Sequence, residues 1–263
     1  MKLDKIIKVL AVILIMILTA NVFYFVGRGN KVYVKLPTVK IEKYVEEKPT
    51  YDYLCSVTVF IEGKTFNSEK NSFDSLYIGT GIVIAETKYY TYILTNTHVA
   101  EDYTDTKEKV YLFIKDNNIE TDVPATIVKK LSVLDIAVLR VRGKLVNKRP
   151  IKGFAEPKIG EKTYMVGHHL GMKYIYGEGV ISGYDNISLV AQLPVMWGNS
   201  GSGIFNKKGE MVGIIHSLPY TIVDFFPVFD VAHGFATDSE YIITFLRTIP
   251  ELKNLSILNE EKL

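Results

Sequence analysis

An all-β body is predicted for the middle of this chain, on two observations. Short apolar or alternating runs recur at 54–62, 77–85, 91–95, 109–115, 123–129, 136–142, 163–167, 174–183, 187–193, 203–206, 211–216 and 228–236. Gly, Asn, Asp or Pro punctuates them, as turns between strands require. Many short strands bury their apolar faces by closing into a sandwich or barrel. After them, Tyr241, Ile242, Phe245 and Leu246 have helical spacing, and Pro250 stands where a helix ends.

Val9 to Val26 is an eighteen-residue stretch without a charge. As a helix it would be about 27 Å long, close to the roughly 30 Å hydrocarbon core of a bilayer. Residues 1–27 are therefore expected to be a membrane anchor, with 6–27 in contact with the membrane. The competing expectation is a signal segment cut near Ala20, but Leu18 suits that cut poorly and the apolar run continues to Val26. Lys2, Lys5 and Lys8 face Arg28, Lys31 and Lys35 across the run, so the basic-residue rule hardly sets orientation. A short basic tail normally stays inside, giving a single-pass protein with an extracytoplasmic body; secretion after cleavage is the alternative. Residues 28–50 read as a charged linker, 51–250 as the folded domain and 251–263 as a tail.

Composition fits a folded domain with a membrane segment: 48% of the 263 residues are apolar and 23% charged. A net charge of +2 leaves no electrostatic footprint for nucleic acid. Cys55 is the only cysteine, so no intrachain disulfide forms, and its run from Leu54 to Ile61 reads as a strand with the thiol as a small core group. About 200 residues suffice for a core without cross-links.

Three segments carry groups suited to attack on a carbonyl. Trp197-Gly198-Asn199-Ser200-Gly201-Ser202-Gly203-Ile204-Phe205 sets Ser200 among small residues. A serine hydroxyl needs a base to take its proton, and the oxyanion it creates needs aimed N–H donors, which small neighbours allow to approach. His98 lies in Tyr92–Val99, and Asp135 opens Asp135–Val141. Singly, each has a plainer role: a glycine turn, a cap on a short helix, the end of a turn. Together, the chain order His, Asp, Ser is that of the chymotrypsin-type triad, not of the subtilisin or α/β-hydrolase types.

On these residues the chain resembles the trypsin-like serine proteases, closest to the bacterial HtrA (Deg) type. Gly79-Thr80-Gly81-Ile82-Val83-Ile84 resembles the family's strand before the histidine, and Thr95-Asn96-Thr97-His98-Val99 its histidine motif. Ala125–Val128 leading to Asp135–Leu139 resembles the strand pair that carries the aspartate. Ile159-Gly160-Glu161, Val166-Gly167 and Gly179–Gly183 follow the second-barrel pattern; Gly209–Ile214 and Gly234-Phe235-Ala236 resemble the strands bordering the substrate cleft. The resemblance implies two six-stranded antiparallel β-barrels with a short C-terminal helix, and His98, Asp135 and Ser200 meeting in the cleft between the barrels. It implies an oxyanion hole from the backbone N–H groups of Gly198 and Ser200, a protein or peptide substrate, no cofactor and no metal. Only thirteen residues follow Pro250, so no PDZ module is expected.

Departures from the family pattern bear on function. Ser202 and Gly203 stand where the family usually has glycine and proline, so local packing must differ. Asn199, not aspartate, precedes the serine, and activation by clipping is not implied. The segment Leu193–Trp197 precedes the serine; with His216 it offers Pro194 and Trp197 as candidate pocket residues. It has no acid, and an apolar preference is expected, because a buried lysine or arginine would go unpaired. His168 and His169 lack the spacing of a zinc site and read as loop residues at the cleft rim; His233 has no assigned role. Two functions are consistent with this reading: a membrane-tethered serine endopeptidase, and a noncatalytic member of the fold that binds peptides or protein partners.

Overall fold

The computed structural model describes residues 48–101, 110–116 and 119–258. Residues 1–47, including the expected anchor and most of the linker, lie outside the described residues. Among the described residues no helix is long and apolar enough to cross a membrane.

The strands close into two six-stranded antiparallel barrels. The first contains β1 (Thr58–Asn67), β2 (Ser72–Glu86), β3 (Tyr90–Thr95), β4 (Val110–Asp116), β5 (Ile119–Leu131) and β6 (Ile136–Arg142) in the order β1-β2-β3-β6-β5-β4. The second contains β7 (Lys162–Gly167), β8 (Ile175–Asp185), β9 (Ser188–Gln192), β10 (Gly203–Phe205), β11 (Met211–Ser217) and, after a hairpin of β12 (Tyr220–Val223) and β13 (Phe226–Phe229), β14 (Gly234–Asp238). Read from β7, its order is β7-β8-β9-β14-β11-β10, the same permutation as in the first barrel.

Ile82-Val83-Ile84 shows why so many runs are apolar on both faces. Val83 packs inside the first barrel with Val59, Ile61, Ile93 and Leu139. Ile82 and Ile84 point the other way, into a cluster shared with Val166, Phe205 and Ile214 of the second barrel. Successive side chains of a strand alternate faces, so a strand that lines a barrel and also abuts its neighbour buries both. Met165, Leu189, Ile204 and Ile215 fill the second barrel.

Two helices seal this shared core. The segment expected as a strand from residue 54 begins instead as helix α1 (Tyr51–Val57), and β1 starts only at Thr58. The cause is local: the Thr50 hydroxyl accepts the Tyr53 N–H at 3.1 Å, capping a free donor, and Asp52 sits in the first turn. Tyr53, Leu54 and Val57 then bury on one face, while Cys55 is left partly exposed rather than in a strand core. After the four-residue turn α2 (Thr97–Ala100), helix α3 (Ser239–Arg247) is the closing helix expected from sequence, with Asp238 accepting from the N–H groups of Glu240 and Tyr241. The chain past Pro250, read as a tail, continues the packed body: Leu252 and Leu258 are buried, and Arg247 donates to the Leu258 carbonyl at 2.7 Å.

Tyr53 ties α1 to the rest of the molecule. Its buried hydroxyl donates to the Gly209 carbonyl at 2.8 Å and accepts the Lys152 N–H at 3.1 Å. Tyr53→Phe keeps the ring and strands both groups, so stability should fall by about 1–3 kcal/mol in equilibrium denaturation; an unchanged midpoint would show that neither bond contributes.

Candidate active site

The segments that carry His98 and Asp135 are stitched together by neighbouring side chains before the two residues meet. The turn α2 that carries His98 is held to the start of β6: Asn96 donates to the Asp135 carbonyl at 2.8 Å and Thr97 to the Ile136 carbonyl at 3.0 Å. Asp135 is left-handed (φ 50°, ψ 43°) at the end of a 3₁₀ turn over Ser132–Leu134, a conformation aspartate tolerates better than most residues. One carboxylate oxygen accepts the His98 N–H at 3.0 Å, and the other lies 2.6 Å from Nδ1. A carboxylate there requires Nδ1 to be the protonated nitrogen, which leaves the Nε2 lone pair of the neutral ring available as a base.

Ser200 comes from the second barrel and is tied to the first. Its carbonyl accepts the Thr80 N–H at 2.8 Å, and the next residue, Gly201, donates to the Ile215 carbonyl at 2.9 Å. Gly201 (φ +86°) has no room for a side chain: a methyl group would overlap the Thr80 carbonyl and approach the Thr95 hydroxyl to 2.5 Å. Thr95 ends the strand that runs into His98, so the serine loop is pressed against the histidine's own support. Among the described residues Ser200 Oγ makes no hydrogen bond, to His98 or to any other group.

The loop before the serine is held by its carbonyls. Trp197 O accepts from Leu170 N at 2.7 Å, Gly198 O from the Thr80 hydroxyl at 2.8 Å, and Asn199 O from Ser202 N at 2.9 Å. The Asn199 N–H turns back to the Met196 carbonyl at 3.0 Å. Across a planar trans peptide the N–H points opposite to the C=O. Holding the Trp197 and Asn199 carbonyls therefore directs the Gly198 and Ser200 N–H groups the other way, and among the described residues neither donor has a protein acceptor. Gly198 is needed twice over, because its φ is +93° and a methyl group would overlap the His168 carbonyl.

The two unusual residues after the serine are accommodated by neighbours. Ser202 is fully buried against Gly167, where any side chain at 167 would collide with its hydroxyl. At Gly203 a methyl group would press to 2.8 Å on the Phe205 ring.

The three pocket candidates have different neighbours. The exposed Pro194 has its carbonyl 3.4 Å from the Asn199 amide nitrogen, and Trp197 packs edge-on against Phe229 at 5.2 Å. His216 lies on the aspartate's side, lining a small cavity with Asp135, Ser188 and Thr237. Burial pulls its pKa below the ordinary histidine value, and His98 acts in the same direction against the opposing pull of Asp135.

Sequence reading missed three features here. His168, expected at the cleft rim, is fully buried between the barrels, its ring edge-on to Phe60 and Tyr174 at 4.9 and 4.8 Å. Thr80, quoted only as part of the strand before the histidine, is the hub of the serine loop. The hairpin β12–β13 exposes every one of its strand residues, so no burial pattern marks Tyr220–Val223, and the single run expected at 228–236 divides into the end of β13 and the start of β14 with a turn between them. Among the described residues no group of three His, Cys, Asp or Glu is placed to hold a metal ion.

Among curated proteins, the chain is 31% identical over 158 residues to a serine protease HtrA-like protein of Staphylococcus haemolyticus, covering 52% of this chain and 24% of that one. It is 29% identical over 151 residues to the serine protease Do-like HtrB of Bacillus subtilis (51% and 31%). With the serine endoprotease DegS of Escherichia coli it shares 27% identity over 169 residues (60% and 44%). The chain thus spans less than half the length of these relatives. The model of the trypsin-like peptidase domain matches residues 79–214, a span that holds His98, Asp135 and Ser200. The chain belongs to the trypsin-like peptidase domain family.

Proposed function

We propose that this chain is a serine endopeptidase that hydrolyses peptide bonds in protein or peptide substrates through an acyl-enzyme. The observation that carries the reading is the His98–Asp135 hydrogen bond of 2.6 Å, formed at the junction to which the Ser200 backbone is tied. In this mechanism Ser200 Oγ attacks the carbonyl carbon while His98 Nε2 takes its proton. The oxyanion forms in front of the Gly198 and Ser200 N–H groups. His98 passes the proton to the leaving amine as the C–N bond breaks, and a water activated by the same nitrogen releases the acyl group. Asp135 keeps the ring in the required tautomer and stabilises the imidazolium.

The names of the relatives, serine proteases and endoproteases, support this reading. The apolar run of residues 9–26 supports a membrane tether with the protease domain outside the cytoplasm. Without an acid in Leu193–Trp197, the residue before the cut is apolar. A second reading, a noncatalytic peptide binder, draws on the missing Ser200–His98 hydrogen bond. Catalytic hydrogen bonds often tighten only when substrate binds, which favours the enzyme.

A serine-directed fluorophosphonate should label the folded wild-type protein and fail to label Ser200→Ala; a folded wild type that stays unlabelled would favour the binder. Asp135→Asn should retain the fold and lose about 10⁴ in turnover, the effect of a wrong histidine tautomer; wild-type activity would mean that another group orients His98. A peptide library should be cut mainly after apolar residues, and dominant cleavage after Arg or Lys would contradict the pocket assignment.

A further inference from the structure

We infer that His168 is a positioning residue for the oxyanion donors, acting through Thr80 and the turn that follows β7. The inference rests on the endopeptidase reading and adds to it a residue outside the triad.

One hydroxyl has its hydrogen-bond capacity filled by the serine loop and His168. Thr80 Oγ1 is buried and lies 2.8 Å from the Gly198 carbonyl, 3.0 Å from His168 Nδ1 and 3.2 Å from His168 N. A carbonyl only accepts, so the single hydroxyl proton goes to Gly198. The oxygen then accepts from both the His168 N–H and Nδ1–H, and its capacity is full. His168 is thereby fixed as the Nδ1–H tautomer. With both its lone pairs taken, the hydroxyl has one direction left for its proton, toward Gly198.

The second route runs along the backbone. The His168 carbonyl accepts the Gly171 N–H at 3.2 Å and closes the turn in which Leu170 (φ 50°) presents its N–H to the Trp197 carbonyl. The buried imidazole seats this turn between Phe60 of the first barrel and Tyr174 of the second. His168 thus supports two adjacent carbonyls of the serine loop, Trp197 through the turn and Gly198 through Thr80. The Trp197 carbonyl lies in the peptide that carries the Gly198 N–H and so aims that donor at the developing charge, while the Gly198 carbonyl fixes the next peptide, the one between the two donors.

A neutral ring is required, and its surroundings keep it neutral. Among the described residues the buried Nε2 has no hydrogen-bond partner, so a proton there would be an unpaired buried charge. Burial, with Lys148 and Lys173 nearby, pushes the His168 pKa down to about 3. The other groups facing the ring are the uncharged Phe60, Thr80 and Tyr174, whose hydroxyl meets Lys148 Nζ at 3.0 Å.

The test compares full-length wild type with His168→Leu, His168→Asn, Thr80→Val and Thr80→Ser. His168→Leu and Thr80→Val remove one side of the bond; Asn keeps a donor at the Nδ1 position and Ser keeps the hydroxyl. The first pair should lower kcat by about 10–10²-fold with KM within about twofold, less than outright loss of an oxyanion donor. The second pair should recover to within about threefold of wild type. Folded Leu and Val variants that turn over like wild type would overturn the inference, as would Asn and Ser variants as impaired as these. If wild type itself fails to react with fluorophosphonate, the endopeptidase reading falls, and the backbone amide resonances of Gly198 and Ser200 decide the positioning claim. They should shift in the Leu and Val variants and hold in the Asn and Ser variants; no shift in the first pair overturns it.

Acid stability gives an independent readout. A folded value near 3 lies below the ordinary 6.5, so between these values the unfolded chain binds more protons at this residue than the folded one. Its contribution to stability is complete above about pH 6.5 and declines as pH falls toward 3. Wild type should therefore lose melting temperature on acidification through this window faster than His168→Asn, and parallel profiles would contradict a buried neutral imidazole.

Discussion

One threonine joins the two halves of the site. Thr80, on β2 of the first barrel, holds the Ser200 carbonyl with its backbone N–H and the Gly198 carbonyl with its hydroxyl. Both carbonyls belong to the second barrel. The barrels could share an apolar interface in many slightly different settings, since burial is non-directional. These two bonds are directional and select one. They bring the serine loop against Thr95, and so against the strand that delivers His98. The apolar cluster around Ile82, Phe205 and Ile214 supplies the cohesion, and Thr80 supplies the register.

The chemistry proposed for the site depends on hydrogen-bond direction more than on proximity. At Asp135 the carboxylate selects the Nδ1–H form of His98. At Thr80 a committed hydroxyl selects the Nδ1–H form of His168. In the first case the selected tautomer leaves Nε2 partly accessible as a base; in the second it leaves Nε2 sealed in the interior. Two histidines in the same tautomer thus have opposite fates because one stands at the junction's edge and the other beneath it. Peptide planarity extends the same logic to the main chain, where fixing carbonyls on one side presents donors on the other. Dipoles held in advance need not reorganise when charge develops, which is why such loops contribute so much to rate.

Much of this was legible in the sequence. Strands such as Ile136–Arg142 bury one face in a barrel, and their apolar runs between turn residues stand out. The His, Asp, Ser order located a histidine and an aspartate that the fold joins by a hydrogen bond. Residues 54–57 read as strand because Leu54-Cys55-Ser56-Val57 flows without a break into a β-branched strand, and the Thr50 cap that starts a helix there is a single bond. The hairpin of Tyr220–Val223 and Phe226–Phe229 has no buried face to create a pattern, and Phe225 at its turn is 98% exposed. His168 looked like a loop residue beside glycines; its burial arises only when Phe60, more than 100 residues earlier, closes over it. Thr80 was hidden for the same reason, since its partners at 168, 198 and 200 are distant in the chain.

In the proposed mechanism the Gly198 and Ser200 N–H groups stand ready for a developing oxyanion before substrate arrives. The most direct measurement is a crystal structure of the chain carrying a peptidyl phosphonate bonded to Ser200. A phosphoryl oxygen should then lie about 2.7–3.1 Å from both nitrogens, with the Trp197 and Gly198 carbonyls still on Leu170 and Thr80. An adduct whose oxygen turns away from these donors, or a loop whose carbonyls have left those partners to reach it, would contradict the account.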